Sequence, residues 1–426
     1  MDVTGTMKLS QKGSMNMSSF TTKLEKYASL AVKVGVNIQQ NQALYIAAST
    51  DSLELVRLIT RKAYEAGASN VYVDLNDDEL SRTRYELAPK ESFDFFPPWK
   101  VQEREYLAEN GAAFISIVSQ TPDLFKGIDS SKISAFQKAS GKAMSKYRQY
   151  VQSDKISWSV IAAPSSRWAA KVFPELSEEE QVPALWEAIF QAVRVDQENP
   201  VEAWKEHDLK LHTKVDYLNE RRYQKLHYTA PGTDLTIELP NGHLWCGASS
   251  VNEKGEAFMA NMPTEEVFTV PLKTGVNGYV ASNKPLSYGG NIIDNFTVTF
   301  EKGRIVKVEA EEGQEVLENL VATDEGSHYL GEVALVPHDS PISNSNLLFY
   351  NTLFDENASN HLAIGSAYAF CIEGGKQMSR EELAANGLNE SVTHVDFMIG
   401  SPNMNIDGIK EDGSVEPIFR NGNWAF

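Results

Sequence analysis

The sequence predicts an α/β N-terminal domain with a mostly parallel sheet, followed by a β-rich α+β C-terminal domain. Three observations predict this. Up to about residue 220, apolar runs of strand length alternate with stretches of helical periodicity, the rhythm of βαβ units. Beyond about residue 222, short alternating runs separated by turn signals take over. In that second part, histidines and carboxylates interrupt otherwise apolar strands.

In chain order, residues 1–14, MDVTGTMKLSQKGS, read as a leader with a Gly-Ser end, and a natural start fits Met15 or Met17. Phe20, Leu24, Tyr27, Ala31 and Val34 recur at helical spacing. ALYIAAS (43–49) reads as a buried strand. DSLELVRLITRKAYEAGA (51–68) reads as a helix opening at a capping Asp or Ser and ending near Gly67. NVYVDL (70–75), AAFISIVS (112–119) and SWSVIAAP (157–164) supply further strands. No GxGxxG or GxxxxGK[ST] follows any of them, so the usual phosphate cradle of a nucleotide site is missing. FDFFPPW (93–99) is a Pro-stiffened aromatic loop expected to pack rather than to bind a ligand. The boundary falls at about 215–225, giving domains of 15–220 and 221–426. In the second, LTIELP leads into Asn-Gly at 241–242, and residues 296–313 read as a hairpin turning at Lys302-Gly303.

Composition narrows the function classes. The 426 residues are 42% hydrophobic and 23% charged, ordinary for a soluble globular protein. No apolar run is long enough to span a membrane, and no secretory signal is visible. The cysteines, Cys246 and Cys371, offer neither a disulfide framework nor a CxxC metal site, which suits a reducing cytoplasm. A formal net charge of −19 argues against nucleic acid and anionic membranes as partners. It also favours cations, including metal ions and substrates with a free amine.

Four stretches gather candidate ligands. ANMPTEEVFTVP (260–271) carries Glu265 and Glu266 just before a strand. YLGEVALVP (329–337) puts Glu332 in line with Leu330 and Ala334. FDENASNHLAIGSAYAF (354–370) carries Glu356, His361 and Tyr368, and THVDFMIG (393–400) carries His394 and Asp396. Strand alternation turns His394 and Asp396 to one face, with Val395 and Phe397 on the other. Each residue alone has an ordinary structural explanation, such as a solvated strand end or a satisfied core histidine. Together they are harder to explain so, because a carboxylate among apolar residues is costly to bury unless it is paired or metal-bound. Two imidazoles, several carboxylates and no thiolate suit Zn²⁺, Co²⁺ or Mn²⁺. More carboxylates than one ion needs points to two ions sharing a carboxylate, hence to a dinuclear hydrolase. This reasoning does not choose between a peptide and a phosphoester. His207, His212, His243, His328 and His338 read as surface or structural.

NMPTEEVFTVP, GEVALVP, DENASNHLAIGSAY and THVDFMIGSPNMNIDG resemble, in order, the motifs of the M29 family of metallo-aminopeptidases, over about residue 19 to Phe426. The resemblance implies a cytoplasmic, homodimeric exopeptidase that carries two divalent metal ions per subunit and removes N-terminal residues from peptides. Carried over position by position, it assigns Glu266, Glu332, His361, His394 and Asp396 as metal ligands, and of these we read Glu332 as the bridge. Glu356 is expected in the shell of the second ion. The implied reaction is hydrolysis of the first peptide bond by a metal-activated water. Glu265 is the candidate proton shuttle if a bend at the start of its strand returns it to the site. Tyr368 matches the family's tyrosine. A helix over 361–368 would set it two turns from His361 and on the same face. Two readings compete with the peptidase: a dinuclear phosphoesterase, and a non-enzymatic protein with a structural metal site.

Overall fold

The computed structural model describes residues 17–426, with side chains from residue 19, so the leader expected over 1–14 lies outside the described residues. The first half follows the βαβ pattern. Strands β1 (Leu44–Ser49), β2 (Val71–Asn76), β3 (Ala113–Val118) and β4 (Trp158–Ala162) form a sheet in the order β2-β1-β3-β4, with every pairing parallel. The helix Leu53–Glu65 crosses between β1 and β2. It turns Leu55, Val56, Ile59 and Ala63 onto the sheet, a helical stripe buried in the first core. Its start is set by a 3₁₀ turn at Thr50–Ser52, where the Ser49 side chain accepts from the Asp51 amide. In the aromatic loop, Phe93 is buried against Tyr85, whereas Phe95 and Trp99 are exposed.

The long helix Pro200–Arg221 joins the halves. Asn199 caps it, Pro200 suits its first turn, and Arg222 in the left-handed region closes it. Trp204 near its start packs in the first core, and Leu211, Val215 and Leu218 pack in the second. The change of architecture follows at Lys225, where a nine-stranded antiparallel sheet begins. Its hairpin of Asn291–Glu301 and Arg304–Glu312 turns at Lys302 (φ 50°) and Gly303 (φ 83°). A Cβ at Gly303 would lie 1.8 Å from the Lys273 carbonyl oxygen, so this turn admits glycine alone. A second antiparallel sheet of five strands shares the second core through Val333, Leu335, Leu362 and Ile364. The cores are not separate in sequence: Met259, Met262, Phe349 and Phe354 belong to the first. Among the described residues no helix is long and apolar enough to cross a membrane.

Candidate metal centre

The five-stranded sheet runs in the order His394–Met398, His361–Gly365, Leu330–Leu335, Val267–Thr269, Cys246–Gly247. Its register aligns the candidate ligands. Ala363 lies opposite both Glu332 and Asp396, Gly365 opposite His394, and Ala334 opposite His361. Glu332, His361, His394 and Asp396 therefore share one face, and Ala334, Ala363 and Gly365 between them leave that face open. Leu362, Ile364, Val333 and Phe397 fill the core behind it, with Val395 packed against it. Glu266 immediately precedes Val267–Thr269, and Glu356 opens the 3₁₀ turn Glu356–Ala358 ahead of His361.

Glu332 is not in line with Leu330. The pairing shifts at Gly331, so that Leu330 sits opposite Ile364 and Glu332 opposite Ala363. The bulge turns Leu330 into the apolar core and leaves Glu332 on the open face. A Cβ at Gly331 would meet the Ser366 carbonyl oxygen at 2.3 Å, which holds the position to glycine.

The six residues expected as ligands line one cavity, together with Tyr368. Their ligand atoms form three groups, each within 4.8 Å: Glu266, Glu332 and His361; Glu332, His394 and Asp396; Glu356, His361 and Asp396. The two oxygens of Glu332 divide between the imidazoles. Oε1 is 3.6 Å from His361 Nε2, and Oε2 is 3.4 Å from His394 Nε2. Each imidazole is oriented from behind. His361 Nδ1 is 3.0 Å from the Ser359 carbonyl oxygen, and His394 Nδ1 is 2.7 Å from that of Ser366. A carbonyl only accepts, so Nδ1 donates and Nε2 faces the carboxylates, the usual orientation of a metal-binding histidine. His361 Nε2 and Asp396 Oδ1 are buried without a hydrogen-bond partner among the described residues. Orphaned donor atoms in a cluster of four carboxylates and two imidazoles fit divalent cations well.

The electrostatics agree. Burial pushes the His361 pKa down, but Glu266 and Glu332 overcome this and raise it well above the ordinary value. Against the same burial, Asp396 and Glu332 push His394 up to about 9. Glu332 is buried too, yet the two imidazoles draw it down to about 2. Burial raises Glu356, reinforced by Asp396 and Glu266, and burial likewise raises Glu266 and Asp396. Protons are thus held where positive charge is needed, and a bound cation serves the same need.

Tyr368 reaches the cavity by a different route from the one expected. His361–Gly365 is a strand, not a helix, and the chain turns at Gly365 (φ 117°) before Tyr368. A Cβ at Gly365 would lie 2.3 Å from the Thr393 carbonyl oxygen. The Tyr368 ring stacks on Phe370 (5.1 Å) and leans on His394 (4.8 Å). Burial, with the site carboxylates, raises its pKa well above the ordinary value.

Glu265 is not among the residues lining the cavity. Its carboxylate is 2.7 Å from Arg194 and 3.5 Å from His207 Nε2, while its amide donates to Asn357 Oδ1 at 2.7 Å. The anticipated bend does not return it to Glu266, because a partly buried guanidinium 71 residues upstream holds it. His207 is buried and structural, with Nε2 2.7 Å from the Thr264 carbonyl oxygen.

The sequence reading missed the contribution of the first half. Trp158 lines the cavity beside Phe268 and Phe370. A cleft of about 660 Å³ continues from Glu356, Tyr368, His394 and Asp396 to the carboxyl ends of β1, β2 and β3. The signal available was the βαβ pattern, since ligands of such sheets gather at the carboxyl ends of the strands.

Comparison with known proteins agrees with this architecture. Residues 20–424 match the family model of the thermophilic metalloprotease (M29) family. Aminopeptidase AmpS of Bacillus subtilis (strain 168) is 68% identical over 410 residues, 96% of this chain and 100% of that protein. Aminopeptidase T of Thermus thermophilus is 43% identical over 409 residues, again 96% and 100%. The solved structure of wild-type AmpT from Thermus thermophilus matches with a TM-score of 0.87 at 42% identity, covering 96% of this chain and 100% of that one. The α/β half, the strand-rich half and the match over nearly the whole length lead to one conclusion: the chain belongs to the M29 family and is a metalloprotease.

Proposed function

We propose that this protein is an aminopeptidase that hydrolyses the first peptide bond of peptides with a free N-terminus. Two divalent ions (Zn, Co or Mn) would be held by Glu266, Glu332, Glu356, His361, His394 and Asp396. The observation that carries this reading is the Glu332 carboxylate, which turns one oxygen toward each imidazole and belongs to two ligand groups at once. When bound, the ions supply a nucleophilic water near neutral pH and polarise the scissile carbonyl.

The chain's own residues do the rest. The acidic cavity attracts the substrate amine. The Tyr368 hydroxyl, in the cavity lining, donates a hydrogen bond to the carbonyl oxygen as it gains charge. Glu356 belongs to neither group that shares Glu332, and it lines both the cavity and the cleft. Arg194 and Glu265 anchor the segment that carries Glu266.

Among the described residues no lysine or arginine lines the cavity or the cleft, which disfavours a phosphoesterase. The adjoining cleft disfavours a closed structural site. The homodimer implied by the resemblance has a surface available. β2 is a sheet edge, and its Tyr72, Val73 and Leu75 are 41%, 42% and 43% exposed.

The test compares an amino acid p-nitroanilide, its N-acetyl analogue and p-nitrophenyl phosphate, each with added Co²⁺. Only the substrate with a free amine should be cleaved. An acetylated substrate cleaved at the same rate would refute the exopeptidase reading.

A further inference from the structure

Strand pairing places four of the six expected ligands. Glu332, His361, His394 and Asp396 sit on paired strands, and the register puts them on one face. Glu266 and Glu356 lie outside any strand. One precedes Val267–Thr269, and the other opens a 3₁₀ turn. No ladder of backbone hydrogen bonds fixes the distance between them. They also fall in two ligand groups that share only His361, and their like charges oppose a close approach until a cation joins them. These two arms need a separate tether.

Asn357 supplies one. It is fully buried, in the 3₁₀ turn directly after Glu356, and it does not line the cavity. Its side-chain amide meets the arm of Glu266 at two points. Oδ1 accepts from the Glu265 amide at 2.7 Å, and Nδ2 donates to the Pro263 carbonyl oxygen at 3.4 Å. The same Nδ2 donates to the Leu353 carbonyl oxygen at 2.9 Å and to Glu356 Oε1 at 3.4 Å. The side chain therefore runs from the backbone beside one carboxylate to the other carboxylate itself. An N–H on one side and acceptor oxygens on the other leave the amide a single orientation. The turn is fixed from behind as well. Asp355 accepts from the Phe349 and Asn351 amides at 2.9 and 3.0 Å, and Ser340 Oγ donates to the Asn357 carbonyl oxygen at 3.2 Å. Ligands held rigid before an ion arrives bind it more tightly.

Resting on the two-ion ligand reading, we infer that Asn357 is a positioning residue that couples the arm of Glu266 to the arm of Glu356 and so sets the affinity of the ion beside His361. Its amide is spent on the two arms, and it acts only through their spacing. The His394 side is independent of it, because the group of Glu332, His394 and Asp396 contains neither arm. Removing the amide therefore affects the two ions of one subunit unequally.

The experiment measures Co²⁺ binding to the chelator-stripped full chain by competition with a chromophoric chelator, with circular dichroism and Tm recorded on the same samples. Wild type is compared with Asn357→Ala and with Phe354→Leu. The latter disturbs the same turn through its stack on Phe349 and leaves the Asn357 amide in place. Wild type should bind two ions. Asn357→Ala should bind one of them within about threefold of wild type and the other about 10–100-fold more weakly, the usual cost of losing a group that orients a metal ligand. Phe354→Leu should lower Tm and leave both affinities within about threefold. If Asn357→Ala does not fold, Asn357→Ser takes its place. Its hydroxyl is too short to serve both arms, so the same split is expected. Unchanged affinities in a folded Asn357 variant would overturn the inference. So would equal weakening of both ions, or the same split in Phe354→Leu. Failure of both Asn357 variants to fold would make the residue part of the fold and would overturn it too. Wild-type protein that binds fewer than two ions would instead remove the two-ion reading, and the inference with it.

Discussion

The Nε2 of His361 lies 2.9 Å from the Glu266 carboxylate. Nδ1 is committed to the Ser359 carbonyl, which leaves Nε2 to face the carboxylate. The imidazole is thus oriented. A cation held there would satisfy the nitrogen and the nearby carboxylate together.

Glu332→Gln should lower kcat by roughly 10²-fold or more, because an amide keeps the shape but is a poor bridging ligand. Elemental analysis should show a lower metal content, with little change in fold by circular dichroism. Normal turnover at an unchanged metal content would show that Glu332 is not the bridge.

Tyr368→Phe removes only the hydroxyl and keeps the packing on Phe370 and His394. A fall in kcat of about 10²–10³-fold is expected, with metal content and Tm nearly unchanged. A purely structural tyrosine would behave in the opposite way, losing about 0.5–1.5 kcal/mol of stability while turnover held.

The metal-free protein should lose stability as pH rises. His394 has a folded pKa of about 9 against an ordinary 6.5, and His361 is raised as well. A raised imidazole pKa contributes stability that is complete below about 6.5 and is lost as pH rises through about 9. Raised Glu266, Glu356 and Asp396 also bind protons more tightly when folded, so they act in the same direction. Glu332, lowered to about 2, opposes them only at acid pH, where its contribution is lost as pH falls. The Tm of chelator-treated protein should therefore drop between about pH 6.5 and 9, and added metal should shrink that drop because ions replace the protons. Equal metal-free Tm values at both ends of that window would contradict the assignment.

Much of this was legible in the sequence, for local reasons. The four parallel strands and the hairpin at Lys302-Gly303 follow from apolar periodicity and turn chemistry. His394 and Asp396 share a face because two-residue spacing in a strand requires it. The failures have non-local causes. HLAIGSAY has no helical stripe, and its pairing with Leu330–Leu335 and His394–Met398 makes the first part a strand. The bulge at Gly331 depends on the close approach of the Ser366 carbonyl. Glu265 is held by Arg194, a partner that no spacing rule reveals. The cleft joins elements from both halves, so only the folded chain shows that the end of β3 and His394 line one cleft.

The most direct test of the account is a metal titration of chelator-stripped protein, with bound metal measured by elemental analysis and turnover followed on the same samples. The account predicts no peptidase activity in the stripped protein and full activity as the content approaches two ions per subunit. Full turnover in metal-free protein, or at a single ion per subunit, would contradict it.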